Sequence, residues 1–295
     1  DTTLTVVVGG DIVDTSLVDT YTVTYNVSDS NGNPAAQVTR IVNVVDTTVP
    51  VIALTGNAAV TIEVGATYTD QGAAATDNLD GDITSSIVTV NPVDETTLGT
   101  YTVTYNVTDA YGNAALEVTR TVTVVDTTVP VIALTGNAAV TIEVGATYTD
   151  QGAAATDNLD GDITSSIVTV NPVDETTLGT YTVTYNVTDA YGNAALEVTR
   201  TVTVVDTTVS VIILIGNATV TIEVGANYTD QGATATDNYD GDITSSIVTV
   251  NPVDETTLGT YTVTYNVTDT YGNDALEVTR TVNVVNTTVP VITLT

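Results

Sequence analysis

Cysteine, histidine, methionine, tryptophan and phenylalanine are all missing from these 295 residues. So is lysine: the four cations are Arg40, Arg120, Arg200 and Arg280. Without thiols or imidazoles there is no disulfide, no thiolate nucleophile, no ring-nitrogen base and no cysteine-histidine zinc site. Carboxylates, hydroxyls, amides and four guanidinium groups are all that remain for chemistry, so no enzyme is expected. The 36 acidic side chains leave a formal net charge of −32. Such a polyanion has no basic face for a phosphate backbone, which excludes a nucleic-acid partner, and an anionic membrane surface repels it. No apolar run approaches the ~20 residues that span a bilayer, so no membrane insertion is expected in this segment, and no basic-then-apolar signal opens it.

What is present is β-rich. Hydrophobic residues make up 42% of the chain, mostly Val, Ile, Ala, Leu and Tyr, and the acids are spread singly between short apolar runs. A disordered acidic tail has neither property. The sequence Asp46-Thr47-Thr48-Val49-Pro50 returns at Asp126, at Asp206 (where Ser210 replaces the proline) and at Asn286, a period of 80 residues. Three full repeats result, 46–125, 126–205 and 206–285; the first two are identical and the third carries changes such as Ile213, Ile215, Tyr239 and Asp274. Residues 1–45 align with the back half of a repeat and 286–295 with the first strand of another, so the chain is expected to be a window on a longer array.

Within a repeat the apolar period is two. Tyr101, Val103, Tyr105 and Val107 alternate with threonines and Asn106, the pattern of a half-buried antiparallel strand. Further strands are expected over 49–55, 59–64, 83–90 and 116–125, with Gly and Asn turn signals between them. About seven short strands in about 80 residues is the count of a small immunoglobulin-like sandwich. Tyr101, Tyr181 and Tyr261, each after Leu-Gly-Thr, are placed to be its corner tyrosine. Arg120, Arg200 and Arg280 share strand parity with inward apolar residues, which implies a bulge or a snorkelling arginine paired with a carboxylate at the sheet edge.

Asp46-Thr-Thr-Val-Pro-Val-Ile, Thr76-Asp-Asn-Leu-Asp-Gly-Asp-Ile83, Gly99-Thr-Tyr-Thr-Val-Thr-Tyr, Val107-Thr-Asp-Ala-Tyr-Gly-Asn113 and Thr119-Arg-Thr-Val-Thr-Val-Val125 together resemble the bacterial surface-protein Ig-like repeat. That module also occurs in pesticidal crystal proteins and is akin to the hyalin repeat. The resemblance implies an all-β tandem array of Ig-like sandwiches in a secreted, non-catalytic stalk or adhesin segment.

The strongest chemical signal is Asp77-Asn-Leu-Asp80-Gly-Asp82, repeated at 157–162 and 237–242. Carboxylates and an amide around a tight glycine turn suit a hard cation such as Ca²⁺, though an Asp-Gly turn explains part of the motif without metal. In an Ig-like topology this loop, the Asp109–Asn113 loop and the entry linker meet at one end of the sandwich. The expected ligands are Asp46, Asp77, Asp80, Asp82 and Asp109, then Asp126, Asp157, Asp160, Asp162 and Asp189, then Asp206, Asp237, Asp240, Asp242 and Asp269. That is one calcium site per full repeat, placed where a repeat meets its predecessor.

The resulting reading is an extracellular structural stalk or fibre segment of a cell-surface adhesin, stiffened by calcium. Its partners are neighbouring repeats of the same chain and, in a fibre, identical chains. One alternative is an extracellular filament assembled by donor-strand exchange, with Val289–Thr295 as the spare strand. The other is a carbohydrate-binding module using Tyr111, Tyr191 and Tyr271. Glu63, Asp70, Asp94, Glu95 and Glu117 lack the cleft that a glycosidase pair requires.

Overall fold

The computed structural model describes residues 4–293. Two compact units divide the chain, Asp1–Thr128 and Val129–Thr295. In the first unit, β1 (Val7–Gly10), β2 (Asp19–Asn26) and β3 (Val38–Val44) form an antiparallel sheet in that order. A full repeat follows: β4 (Val51–Leu54), β5 (Ala59–Glu63), β6 (Ala73–Asp77), β7 (Gly81–Asp82), β8 (Val88–Val90), β9 (Gly99–Asn106) and β10 (Val118–Val125). Its two sheets run β5-β10-β9-β8 and β4-β6-β7. The second unit repeats this arrangement twice, from β11 (Val131–Leu134) to β17 (Val198–Val205) and from β18 (Val211–Leu214) to β24 (Val278–Val285). Among the described residues no helix is long and apolar enough to cross a membrane.

Alternation decides which side chains enter the core. Val103 and Tyr105 of β9 and Val122 and Val124 of β10 are buried, while the threonines between them face outward. Ile52 and Ala75 close the core from the other sheet. β5 runs parallel to β10, with Ala59 opposite Thr121 and Glu63 opposite Val125, so the first and last strands of the larger sheet lie side by side. The corner tyrosines sit as expected: the hydroxyls of Tyr101, Tyr181 and Tyr261 donate to the carbonyls of Thr97, Thr177 and Thr257, at 2.8, 2.8 and 3.0 Å.

Two local departures have clear causes. The expected strand over 83–90 is interrupted by a 3-10 turn at Thr84–Ser86. There the Thr84 hydroxyl stands in for backbone, accepting from the Ala75 N–H at 3.0 Å. β6 carries no alternation because Ala73, Ala74 and Ala75 offer no contrast between faces, yet Ala75 is 1% exposed.

The arginines are paired with carboxylates as expected, but they neither bulge the strand nor lie at the sheet edge. The β9-β10 ladder runs through Arg120 without a bulge, from Val118 opposite Tyr105 to Val124 opposite Gly99. Arg120 does not snorkel: it is 1% exposed, ion-paired to Asp70, and it donates to the carbonyls of Thr55, Asn57 and Gly72. Its guanidinium lies 5.7 Å from the Tyr105 ring centroid, and the Tyr105 hydroxyl donates to Asp70 at 2.6 Å. Burial pushes the Asp70 carboxyl up, but the Tyr105 and Tyr68 hydroxyls, the Gly72 N–H and Arg120 together hold it below the ordinary value. A guanidinium can be buried here because each of its three nitrogens finds an acceptor. Arg200 and Arg280 repeat the arrangement with Asp150 and Asp230.

Candidate metal centre

Three aspartates from three separate segments meet at one end of the sandwich. In the first unit Asp46 leaves β3 on the linker, Asp77 ends β6, and Asp109 opens the loop between β9 and β10. Each offers a carboxylate oxygen, and these oxygens lie within 4.8 Å of one another. In the second unit Asp206, Asp237 and Asp269 do the same.

Local turns aim these side chains. One oxygen of Asp77, Oδ2, accepts from the N–H groups of Leu79 (2.8 Å) and Asp80 (3.2 Å), which leaves Oδ1 buried without a partner. The chain closes this turn at Gly81, whose φ of +72° an L side chain rarely adopts. Asp109 Oδ1 accepts from Tyr111 and Asn113 N–H groups, and Oδ2 from the Asn113 side-chain amide at 2.8 Å. The same amide donates to the Asp46 carbonyl at 3.2 Å, so Asn113 ties the linker to the loop. Asn273 ties Asp206 to Asp269 in the same way. Asp46 Oδ2 and Asp206 Oδ2 are also buried without a hydrogen-bond partner, and Asp206 is only 8% exposed.

At such separations and an effective dielectric near 20, each like-charge pair costs about 3.5 kcal/mol. Burial, then Asp237 and Asp269, push the Asp206 carboxyl above its ordinary value. Burial also works against Asp109 and Asp269, but the asparagine and loop N–H donors outweigh it and hold both low. Orphaned buried oxygens beside other carboxylates, and an all-oxygen donor set, fit a hard divalent cation.

The remaining expected ligands lie apart from these triads. Asp80 Oδ2 accepts from the Ala110 N–H at 2.8 Å, bridging the two loops, and Asp160 does so with Ala190 at 2.7 Å. Asp240 takes both the N–H and the hydroxyl of Thr270. Asp82, Asp162 and Asp242 each accept from the threonine two residues on, Thr84, Thr164 and Thr244, all at 3.0 Å. In the middle repeat Asp126 belongs to the first unit, whereas Asp157 and Asp189 lie in the second and make the same turns as Asp77 and Asp109. Ser210, where the other repeats have proline, is buried and donates from its hydroxyl to Asp237 at 3.4 Å.

Asn113, Asn193 and Asn273 were not singled out as site residues by sequence spacing, although each ends the aspartate-led loop that was. The tyrosines of that loop are about half exposed, and Tyr271 packs edge-on against Tyr239 with centroids 5.5 Å apart.

Comparison with known proteins places these features in a family. The chain is 34% identical to hyalin of Strongylocentrotus purpuratus over 93% of its own length and 24% of hyalin's. It is 34% identical to the pesticidal crystal protein Cry22Aa of Bacillus thuringiensis over 73% of this chain and 31% of that protein. The chain therefore spans roughly a quarter to a third of these two relatives. Among solved structures, Drosophila N-cadherin EC1-4 aligns over 92% of this chain and 86% of that one, at 11% identity and a TM-score of 0.30. The profile of the bacterial surface protein Ig-like domain matches residues 1–44, 52–124, 132–204 and 212–284. With matched segments covering most of its length, the chain belongs to the bacterial surface-protein Ig-like domain family, a family of surface repeats and not of enzymes.

Proposed function

We propose that the chain is a structural stalk or fibre segment of an extracellular surface or adhesin protein, whose junctions between repeats are stiffened by calcium. The observation that carries the reading is the buried, unpartnered Oδ2 of Asp206 beside Asp237 and Asp269. A cation there cancels the mutual repulsion and joins the linker aspartate to two loops of the following repeat. Calcium suits the site better than magnesium, because it accepts six to eight oxygens in irregular arrangements, whereas magnesium requires a compact octahedron and retains water. The proposed ligands are Asp46, Asp77 and Asp109, and Asp206, Asp237 and Asp269. The turns that occupy one oxygen of Asp46, Asp77 and Asp206 leave the other without a hydrogen-bond partner and free for the ion. The partners of such a segment are its own neighbouring repeats and, in a fibre, identical chains.

The test is a thermal melt and small-angle scattering of the intact chain, first in calcium and then in excess chelator. An ion at a hundred times its dissociation constant adds about 2.7 kcal/mol per site, or about 10–20 °C for a domain of this size. The expected result is a melting temperature raised by calcium, with a greater maximum dimension. Identical melts and scattering in the two conditions refute calcium stiffening.

A further inference from the structure

Outside the aspartate triads, one carboxylate recurs at every linker. Glu63 ends β5, and its counterparts Glu143 and Glu223 end β12 (Ala139–Glu143) and β19 (Thr219–Glu223). Because these strands run parallel to the last strand of their repeat, Glu143 lies opposite Val205, where the chain leaves β17 for Asp206. The Glu143 carboxylate accepts from Thr207 N–H at 2.9 Å and Oγ1 at 2.7 Å, and from Thr208 N–H at 3.0 Å and Oγ1 at 2.7 Å. Glu63 holds Thr127 and Thr128 through the same four donors, and Glu223 holds Thr287 and Thr288. The third instance is informative, since the residue before those threonines is Asn286. The clamp therefore forms where the linker carboxylate is absent, and it does not owe its geometry to an acidic partner.

Resting on the calcium reading above, we propose that Glu143 is a positioning residue for the cation held by Asp206, Asp237 and Asp269. By holding Thr207 and Thr208 from the preceding repeat, it presents Asp206 to the two loop aspartates before an ion arrives. Glu143 is not itself a ligand. Both its oxygens are occupied by linker donors, and Oε1 alone accepts from two N–H groups and a hydroxyl. Its contribution is order: two linker residues are fixed by hydrogen bonds to the preceding repeat, so ion binding does not have to restrict them. Glu63 places Asp126 by the same contacts with Thr127 and Thr128.

The experiment is calcium titration of the intact chain by calorimetry for wild type, Glu143→Gln and Glu223→Gln. Hydrogen exchange of peptides covering 206–285 reports folding of each variant in chelator. A glutamine turns one acceptor into a donor facing donors, so Glu143→Gln is expected to weaken one site by about tenfold or more, with faster exchange at Thr207 and Thr208. Glu223→Gln removes the same clamp beside Asn286 and is expected to leave every affinity unchanged. A second variant, Thr208→Val, keeps the backbone donor and loses the hydroxyl, so it is expected to give a smaller loss at the same site. Wild-type affinity in Glu143→Gln overturns this proposal alone, as does an equal loss in Glu223→Gln, which would mark a general effect on the fold. A wild-type chain that takes up no calcium overturns the calcium reading and the proposal with it.

Discussion

Replacing Asp206 by asparagine should stabilise the chain without calcium, and calcium should remove that advantage. Asp206 takes part in two of the three like-charge pairs of its triad, whose oxygens lie within 4.8 Å of one another. Each pair costs about 3.5 kcal/mol at an effective dielectric near 20 and about 1 kcal/mol in bulk water. An aspartate can escape by taking up a proton, which at neutral pH costs about 4 kcal/mol and so caps the penalty. In chelator, Asp206→Asn is therefore expected to stabilise residues 206–285 by about 2–4 kcal/mol. The Thr208 N–H, 3.3 Å from Asp206 Oδ1, keeps an acceptor in the asparagine. In calcium that advantage is cancelled to within about 2 kcal/mol, because the substituted chain forgoes an anionic ligand and with it about 2–3 kcal/mol of ion-derived stability. Hydrogen exchange localised to peptides within 206–285, in urea, reads both arms. A substitution that destabilises equally in chelator and in calcium would show that Asp206 is a structural hydrogen-bonding residue, and the electrostatic argument would fall.

Two further outcomes can be checked on the same chain. Hydrogen bonds from Thr207 and Thr208 lower the Glu143 carboxyl from 4.5 to about 2, and those from Thr127 and Thr128 do the same for Glu63. A carboxyl depressed in the folded state contributes stability above its unfolded value and loses it as pH falls through the folded one. Exchange protection at these threonines in chelator should thus hold to about pH 4.5 and disappear by about pH 2; loss already near pH 6 would contradict the assignment. Arg280→Met leaves the half-buried Asp230 carboxylate without its cation and three carbonyls without the guanidinium, and should destabilise its repeat by about 3–5 kcal/mol in a urea melt. A cost below about 1 kcal/mol would mean that water replaces the guanidinium there.

Much of the fold was legible because Tyr101–Val107 and Val118–Val125 alternate cleanly and the corner tyrosine follows a fixed Leu-Gly-Thr. β6 was not legible, since alanine is compatible with either face and its burial is set by Tyr105 across the core and Ile52 on the neighbouring strand. The parity of Arg120 announced an inward cation, but its acceptors Thr55, Asn57 and Gly72 are distant in sequence, so spacing pointed to the sheet edge instead. At the candidate site, sequence pointed to the three segments that the fold brings together. It could not separate Asp77, whose turn leaves one oxygen buried and free, from Asp82, whose turn faces Thr84 in the open. The Glu143 clamp joins residues 64 and 65 apart, and nothing in either local sequence distinguishes it from ordinary solvated polar residues.

The parallel pairing of β5 with β10 decides how a repeat responds to tension. The chain enters through β4, in the other sheet, before β5, and leaves from the end of β10, so a pull that reaches β5 slides these neighbours past each other along their length. Five residue pairs, from Ala59 and Thr121 to Glu63 and Val125, then bear the load together in shear. The bonds of an antiparallel hairpin pulled from its open end would break one after another. Rupture in shear requires the ladder to fail as a block, which raises the barrier that governs forced unfolding. The strand order thus sets a shear-loaded ladder between the second strand of the repeat and its last.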